Sequence, residues 1–171
     1  MLLWLVYGLV GTIGLLVSVV FLRETWRAWE RRRFEKLRAV CTRRLRVLKY
    51  LEPEDLAARL RADFPLSVIE KCLEEFSEGS ATSMREKLVQ VNEDLGLVEA
   101  RIEALTEAGS WPERAAAAER LGRIGHSAAV LPLIATLQDP SEDKEVKSVA
   151  SLALRNIKDP RAIPPLIEAL A

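Results

Sequence analysis

One histidine, two cysteines and a few acidic pairs are the side chains of this 171-residue chain whose chemistry could extend beyond packing. His126 sits in the short turn "GHS", and no Ser or Cys with a companion motif joins it. Nucleophilic catalysis needs a nucleophile, a base and an orienting group together, so a helix-capping or merely exposed histidine is expected. Cys41 and Cys72 lack metal-ligand spacing and read as free thiols of a reducing compartment. Glu74-Glu75 and Glu142-Asp143 read as solvated helix faces or turns. Gly8, Gly11 and Gly14 in "GLVGTIG" suggest a phosphate loop, but the run is uncharged and carries no Lys. A phosphate there would lose its hydration uncompensated. No catalytic, cofactor-binding or metal-binding residue is expected, which moves the question to the elements.

Residues 1–22 carry no charged side chain. As a helix rising about 1.5 Å per residue they would cross a hydrocarbon core about 30 Å thick, so a single transmembrane helix is expected. A signal peptide would have a basic start, a shorter apolar core and a small-x-small cleavage site, whereas Val19, Val20, Phe21 and Leu22 run directly into Arg23. The glycines then find a use as small residues at helix-contact spacing, Gly8 with Thr12 and Gly14 with Ser18, with Gly11 beside them.

The zero net charge hides a division. Residues 23–49 hold eleven Lys or Arg against three Glu, and residues 50–171 hold fourteen basic against twenty-two acidic residues. Basic residues flanking a span stay on the cytoplasmic side, so the expected topology has the N-terminus outside and the bulk of the chain in the cytoplasm. Trp26 and Trp29 lie where an interfacial aromatic belt belongs, with Trp4 near the opposite face. The basic segment could also hold anionic lipid. Nucleic acid is not an expected partner, because the remainder of the chain is acidic.

Beyond the span the chain reads as all-α. Phe34, Leu37, Cys41, Leu45 and Leu48 form one stripe of a basic helical stalk, 23–51. Pro53 and Phe64-Pro65 punctuate a helical collar, 52–94, in which Val68, Ile69, Leu73 and Phe76 share a helix face that ends near Gly79. From about residue 95 the chain repeats itself. Shifted by 33 with no gap, Ala117 meets Ala150, Leu121 meets Leu154, Ile124 meets Ile157, Ala129 meets Ala162 and Leu133 meets Leu166. Such a period marks a solenoid whose units bury their apolar faces only against neighbours. Ser110 with Glu113 has capping-box spacing, and Asp159 before Pro160 can cap a helix.

"AVLPLIATLQD", the pair Val146-Lys147, "VASLALRNI" and "ERAAAAERLGRIG" resemble HEAT repeats, in particular the short bacterial type also found in phycobilin lyases. The resemblance covers 95–171 and implies helix pairs at 95–125 and 128–158, then a lone helix at 161–171. It departs at Glu113, which stands where Val would, and at His126-Ser127-Ala128 where the other copy has Asp159-Pro160-Arg161. That second departure puts inter-repeat polar bonding in doubt. Ile163, Leu166, Ile167 and Leu170 of the lone helix lack a following cap. Leaving two exposed costs on the order of 3–6 kcal/mol, so a second copy of the chain in a homo-oligomer, a different subunit or residues beyond 171 are expected to cover them. The expected function is a membrane-anchored scaffold that docks a protein at the cytoplasmic face of a membrane complex, through Arg120, Arg123, Lys147, Ser151 and Arg155 on successive second helices. An accessory structural subunit of such a complex is the alternative, and the lyase resemblance implies a third, a bilin attachment factor.

Overall fold

The computed structural model describes the backbone of residues 2–78 and 80–169, and side chains within that range from residue 18 onward. Among these residues the chain is helical throughout, with two 3₁₀ turns and no strand.

The first helix, α1 (Leu2–Leu48), is continuous. The stretch expected to span a membrane and the stretch expected as a stalk form one rod, since the first proline in the chain is Pro53. Most of the 1–22 stretch, including Gly8, Gly11, Thr12 and Gly14, lies outside the described side chains. Among the described residues no helix is long and apolar enough to cross a membrane. Ser18 is exposed on α1.

The last turns of α1 dock. Cys41 and Leu45 are fully buried, and Phe34, Leu37 and Leu48 pack beside them against α2 (Pro53–Asp63), α3 (Leu66–Glu78) and α4 (Thr82–Asp94). Pro53 stands in the first turn of α2, where its missing N–H costs nothing and Glu54 and Asp55 oppose the positive helix end. Phe64 is extended ahead of Pro65, as the proline ring requires, and this turns the chain into α3.

The repeat region folds in register with its sequence. It comprises α5 (Leu97–Glu107), α6 (Trp111–Ile124), a 3₁₀ turn (Ser127–Ala129), α7 (Val130–Gln138), α8 (Lys144–Ile157), a second 3₁₀ turn (Pro160–Ala162) and α9 (Ile163–Glu168). First helices α5, α7 and α9 pack in one layer and second helices α6 and α8 in another, around Leu105, Ala118, Leu121, Leu133, Ala150 and Leu154. The collar closes the opposite end of this array, with α4 against α5 and α6. Leu97 belongs to the collar core and Val98 to the solenoid core, so α5 is their common wall.

Glu113 is exposed, so the register tolerates it in place of Val. The doubt at His126 resolves in favour of bonding. Its Nδ1 accepts the Ala128 N–H at 3.1 Å, the role that Asp159 Oδ1 plays for the Arg161 N–H at 2.9 Å. Arg161 then reaches back across the repeat to the Ser127 carbonyl at 3.3 Å. The capping box at Ser110 does not form: its hydroxyl donates to the Glu113 carboxylate at 2.8 Å and caps no backbone N–H. Gly125 and Lys158, one repeat apart, both close second helices in left-handed backbone, φ 78° and 61°.

Candidate functional site

Two of the arginines expected to meet a partner are already engaged within the chain. Glu70 of α3 receives Nε and Nη2 of Arg101 at 2.9 and 2.6 Å, and Nη1 of Arg120 at 3.4 Å. One turn further, Glu74 pairs with Arg123 and with Lys71, while Glu119 takes Nη2 of Arg123 at 2.6 Å. Arg120 and Arg123 therefore fasten the solenoid to the collar. The reading of Glu74-Glu75 as a solvated face is corrected for Glu74, which is largely covered, whereas Glu75 is exposed and accepts from Arg38 of α1 at 2.8 Å. Sequence reasoning missed Glu70 because its partners lie 31 and 50 residues away. The available signal was the four-residue spacing of Glu70 and Glu74, which puts both on one face of α3.

Beside this clamp a cavity of about 990 Å³ opens between α3, α4 and the C-terminal ends of α6 and α8. Its walls are mixed in charge and include Glu78, Arg85, Glu86, Asn92 and Lys158. Among the described residues no three His, Cys, Asp or Glu gather as a metal site. His126 Nε2 lies 3.2 Å from Glu93 of α4, tying the first interrepeat turn to the collar.

The other candidates fall toward the C-terminal end of the array. Lys147 is half-buried, Ser151 Oγ donates to the Ser148 carbonyl at 2.7 Å, and Arg155 is exposed. The repeat register explains the contrast with α6. Ala115, Ala118 and Gly122 form the small-residue surface on which α8 lies; one repeat later those positions are Ser148, Ser151 and Arg155. A helix could not approach α8 there as α8 approaches α6, and polar residues suit an outer face. Among the described residues, the large apolar side chains exposed on α8 and α9 are Leu152, Ile163 and Ile167, the last two at 56% and 63%. Leu166 packs against the solenoid core, and Leu170 lies outside the described residues.

Glu142, read as solvated, is instead the most covered carboxylate of an ion pair between repeats. It is 9% exposed and takes Arg114 in a two-pronged contact at 2.9 and 2.7 Å, and Arg114 also donates to the Ala108 carbonyl. The Arg114 hydrogen bond holds the Glu142 carboxyl below its usual range, and Arg161 does the same for Asp159, lowering it to about 2. Depressed folded-state values mean that the unfolded chain takes up protons first. Both contributions are thus complete above the free carboxyl range near about 4 and are lost as pH falls, for Asp159 down to about 2. Asp159→Asn keeps an amide oxygen for the cap but does not titrate. Thermal melts of this variant should lose less stability than the parent on acidification, and identical acid limbs would contradict the linkage.

Residues 18–33 of α1 project beyond the docked turns and are exposed, Ala28 alone being half-buried. Val19, Val20, Phe21 and Leu22 are 55–67% exposed on consecutive positions, hence on all sides of the rod. Below them Trp26 and Trp29 pair at 5.8 Å between ring centres, with Arg33 over Trp29 at 5.6 Å.

No curated protein and no solved structure matches the chain. Residues 98–171 are similar to the family model for HEAT repeats, in keeping with the paired helices described above.

Proposed function

We propose that the protein is a single-pass membrane-anchored HEAT-repeat scaffold that holds a protein partner at the cytoplasmic face of a membrane complex. HEAT repeats are in general protein-interaction scaffolds and are typically non-catalytic. The observation that carries the membrane part is the exposed end of α1. Four consecutive large apolar side chains, Val19 to Leu22, are mostly exposed, and Arg23, Arg27, Arg31, Arg32 and Arg33 follow within about three turns. Apolar groups on every side of a rod are stable in hydrocarbon, and arginines next to them in the headgroup layer, where each is worth about 1 kcal/mol against anionic lipid. The basic flank supports a topology with the N-terminus outside and the solenoid in the cytoplasm. Docking of the last turns of α1 in the collar fixes the solenoid to the anchor. The C-terminal end of the array, with Arg155, Leu152, Ile163 and Ile167 exposed, offers a surface for a partner.

The full chain should remain in the membrane pellet after alkaline carbonate washing, and a chain starting at residue 23 should not. Recovery of the full chain in the wash would sink the anchor. Gentle detergent purification should bring down a stoichiometric protein, lost with Arg155→Glu plus Ile167→Asp. Retention of that protein by the substituted chain, combined with its loss when residues 1–22 are exchanged for an unrelated apolar helix, would favour an accessory membrane subunit.

A further inference from the structure

Cys41 and Cys72, 31 residues apart and read from the sequence as unrelated, are brought into contact where α1 enters the collar. Both are fully buried. Cys72 Sγ sits on the turn of α1 that carries Cys41: it lies 3.5 Å from the Arg38 carbonyl and 3.7 Å from Thr42 Oγ1, groups that bracket Cys41. Both belong to the one core cluster that joins the end of α1 to α3. We propose that Cys41 and Cys72 are a redox pair which, on reaction with a small-molecule disulfide, forms a covalent staple between α1 and α3.

The two thiols are not equivalent. The neighbouring Cys72 and burial push the Cys41 thiol up, while the neighbouring Cys41, the Thr42 hydroxyl and Arg38 bring Cys72 down to about 7 against the opposing effects of burial and Glu75. Cys72 is therefore the attacking thiolate. It displaces one half of the disulfide RSSR, forming Cys72–S–SR and releasing RS⁻. Cys41 then gives up its proton to that thiolate and attacks the Cys72 sulfur, forming the Cys41–Cys72 bond and releasing the second RS⁻. Two electrons and the thiol protons of the pair pass to RSSR, which becomes two RSH. Because both sulfurs are covered, reaction awaits separation of α1 from α3, and the bond once made prevents that separation from recurring. In a reducing cytoplasm the pair rests as thiols, so the staple records oxidation.

The test uses the full chain in detergent with glutathione disulfide as the oxidant. After oxidation, denaturation and alkylation, the expected product is a monomer with neither cysteine labelled, lighter by two hydrogens, whose digest contains a peptide joining Cys41 to Cys72. In Cys41→Ser the Cys72–glutathione adduct should accumulate, and in Cys72→Ser the remaining thiol should react at least tenfold more slowly. Labelling of both cysteines after oxidation, separate glutathione adducts on both, or a disulfide-linked dimer overturns the proposal. The wild-type product stands as evidence even if a serine variant fails to fold.

Discussion

Replacing Gly122 by valine is expected to lower stability by about 3 kcal/mol, an overpacking cost at the upper end of its usual range. A Cβ on Gly122 would lie 2.6 Å from the Ala153 Cα and 2.8 Å from its Cβ. The first of these neighbours is backbone, so no side-chain rotation relieves the contact, and α6 and α8 must move apart. Their separation opens the core around Ala118, Leu121, Ala150 and Leu154, where small side chains permit the close approach. The effect on helix propensity runs the other way. Glycine inside a helix costs about 0.5–1 kcal/mol relative to alanine, so at an open site Gly122→Ala would stabilise the chain, and the sign of its effect isolates the clash. Gly109 supplies the control. A Cβ there meets nothing within 4 Å, and its backbone is not left-handed, so Gly109→Ala should be neutral or stabilising by up to about 1 kcal/mol. For a chain of this size, 3 kcal/mol corresponds to a fall in melting temperature of about 6–12 °C, measurable by circular dichroism. A melting temperature for Gly122→Val equal to that of the parent would show that α6 and α8 do not approach as described.

The same glycine shows how far the sequence could be read. A shift of 33 aligns Ala117 with Ala150 and Leu121 with Leu154, and the structure reproduces each repeat element 33 residues later, from α6 and α8 to the two 3₁₀ turns. Periodicity was sufficient there because each repeat solves the same local packing problem as its neighbour. The apolar stripe of Phe34, Leu37, Cys41, Leu45 and Leu48 was legible for a similar reason, since a helix must bury its one apolar face. The polar contacts were not legible. Whether Arg120 faces solvent or Glu70 depends on the angle at which α3 lies against α6, and no local pattern encodes an angle between elements so distant in sequence. The contact of Cys41 with Cys72 was hidden for the same reason. His126 could have been placed from the register alone, because it occupies the position of Asp159, and the imidazole acceptor replaces the carboxylate oxygen.

Glu70 is where those unforeseen contacts converge, and its reversal should separate the two halves of the molecule. Glu70 and Arg101 are 18% and 24% exposed at their side chains, so their two-pronged contact is partly shielded from water. A hydrogen bond to a charged group is worth about 1.5–3 kcal/mol, and solvent access favours the lower part of that range for each contact made here. In Glu70→Lys the favourable contacts vanish and a cation is placed against Arg101 and Arg120 beside Lys71, so a loss of about 2–3 kcal/mol is expected. The loss falls on the junction between two cores, one built around Leu45, Ile69 and Leu88 and the other around Leu121, Leu133 and Leu154. The parent is expected to unfold in one transition in urea and the variant in two, with the collar and the solenoid unfolding at different concentrations. Adding Arg101→Glu to Glu70→Lys restores opposite charges at that contact and should recover at least half of the loss, a coupling that double-mutant analysis reads directly. Equal stability of Glu70→Lys and the double variant would mean that the pair contributes no coupling. The solenoid would then be held to the collar by the apolar wall of α5 and by the Arg123–Glu74 and His126–Glu93 contacts.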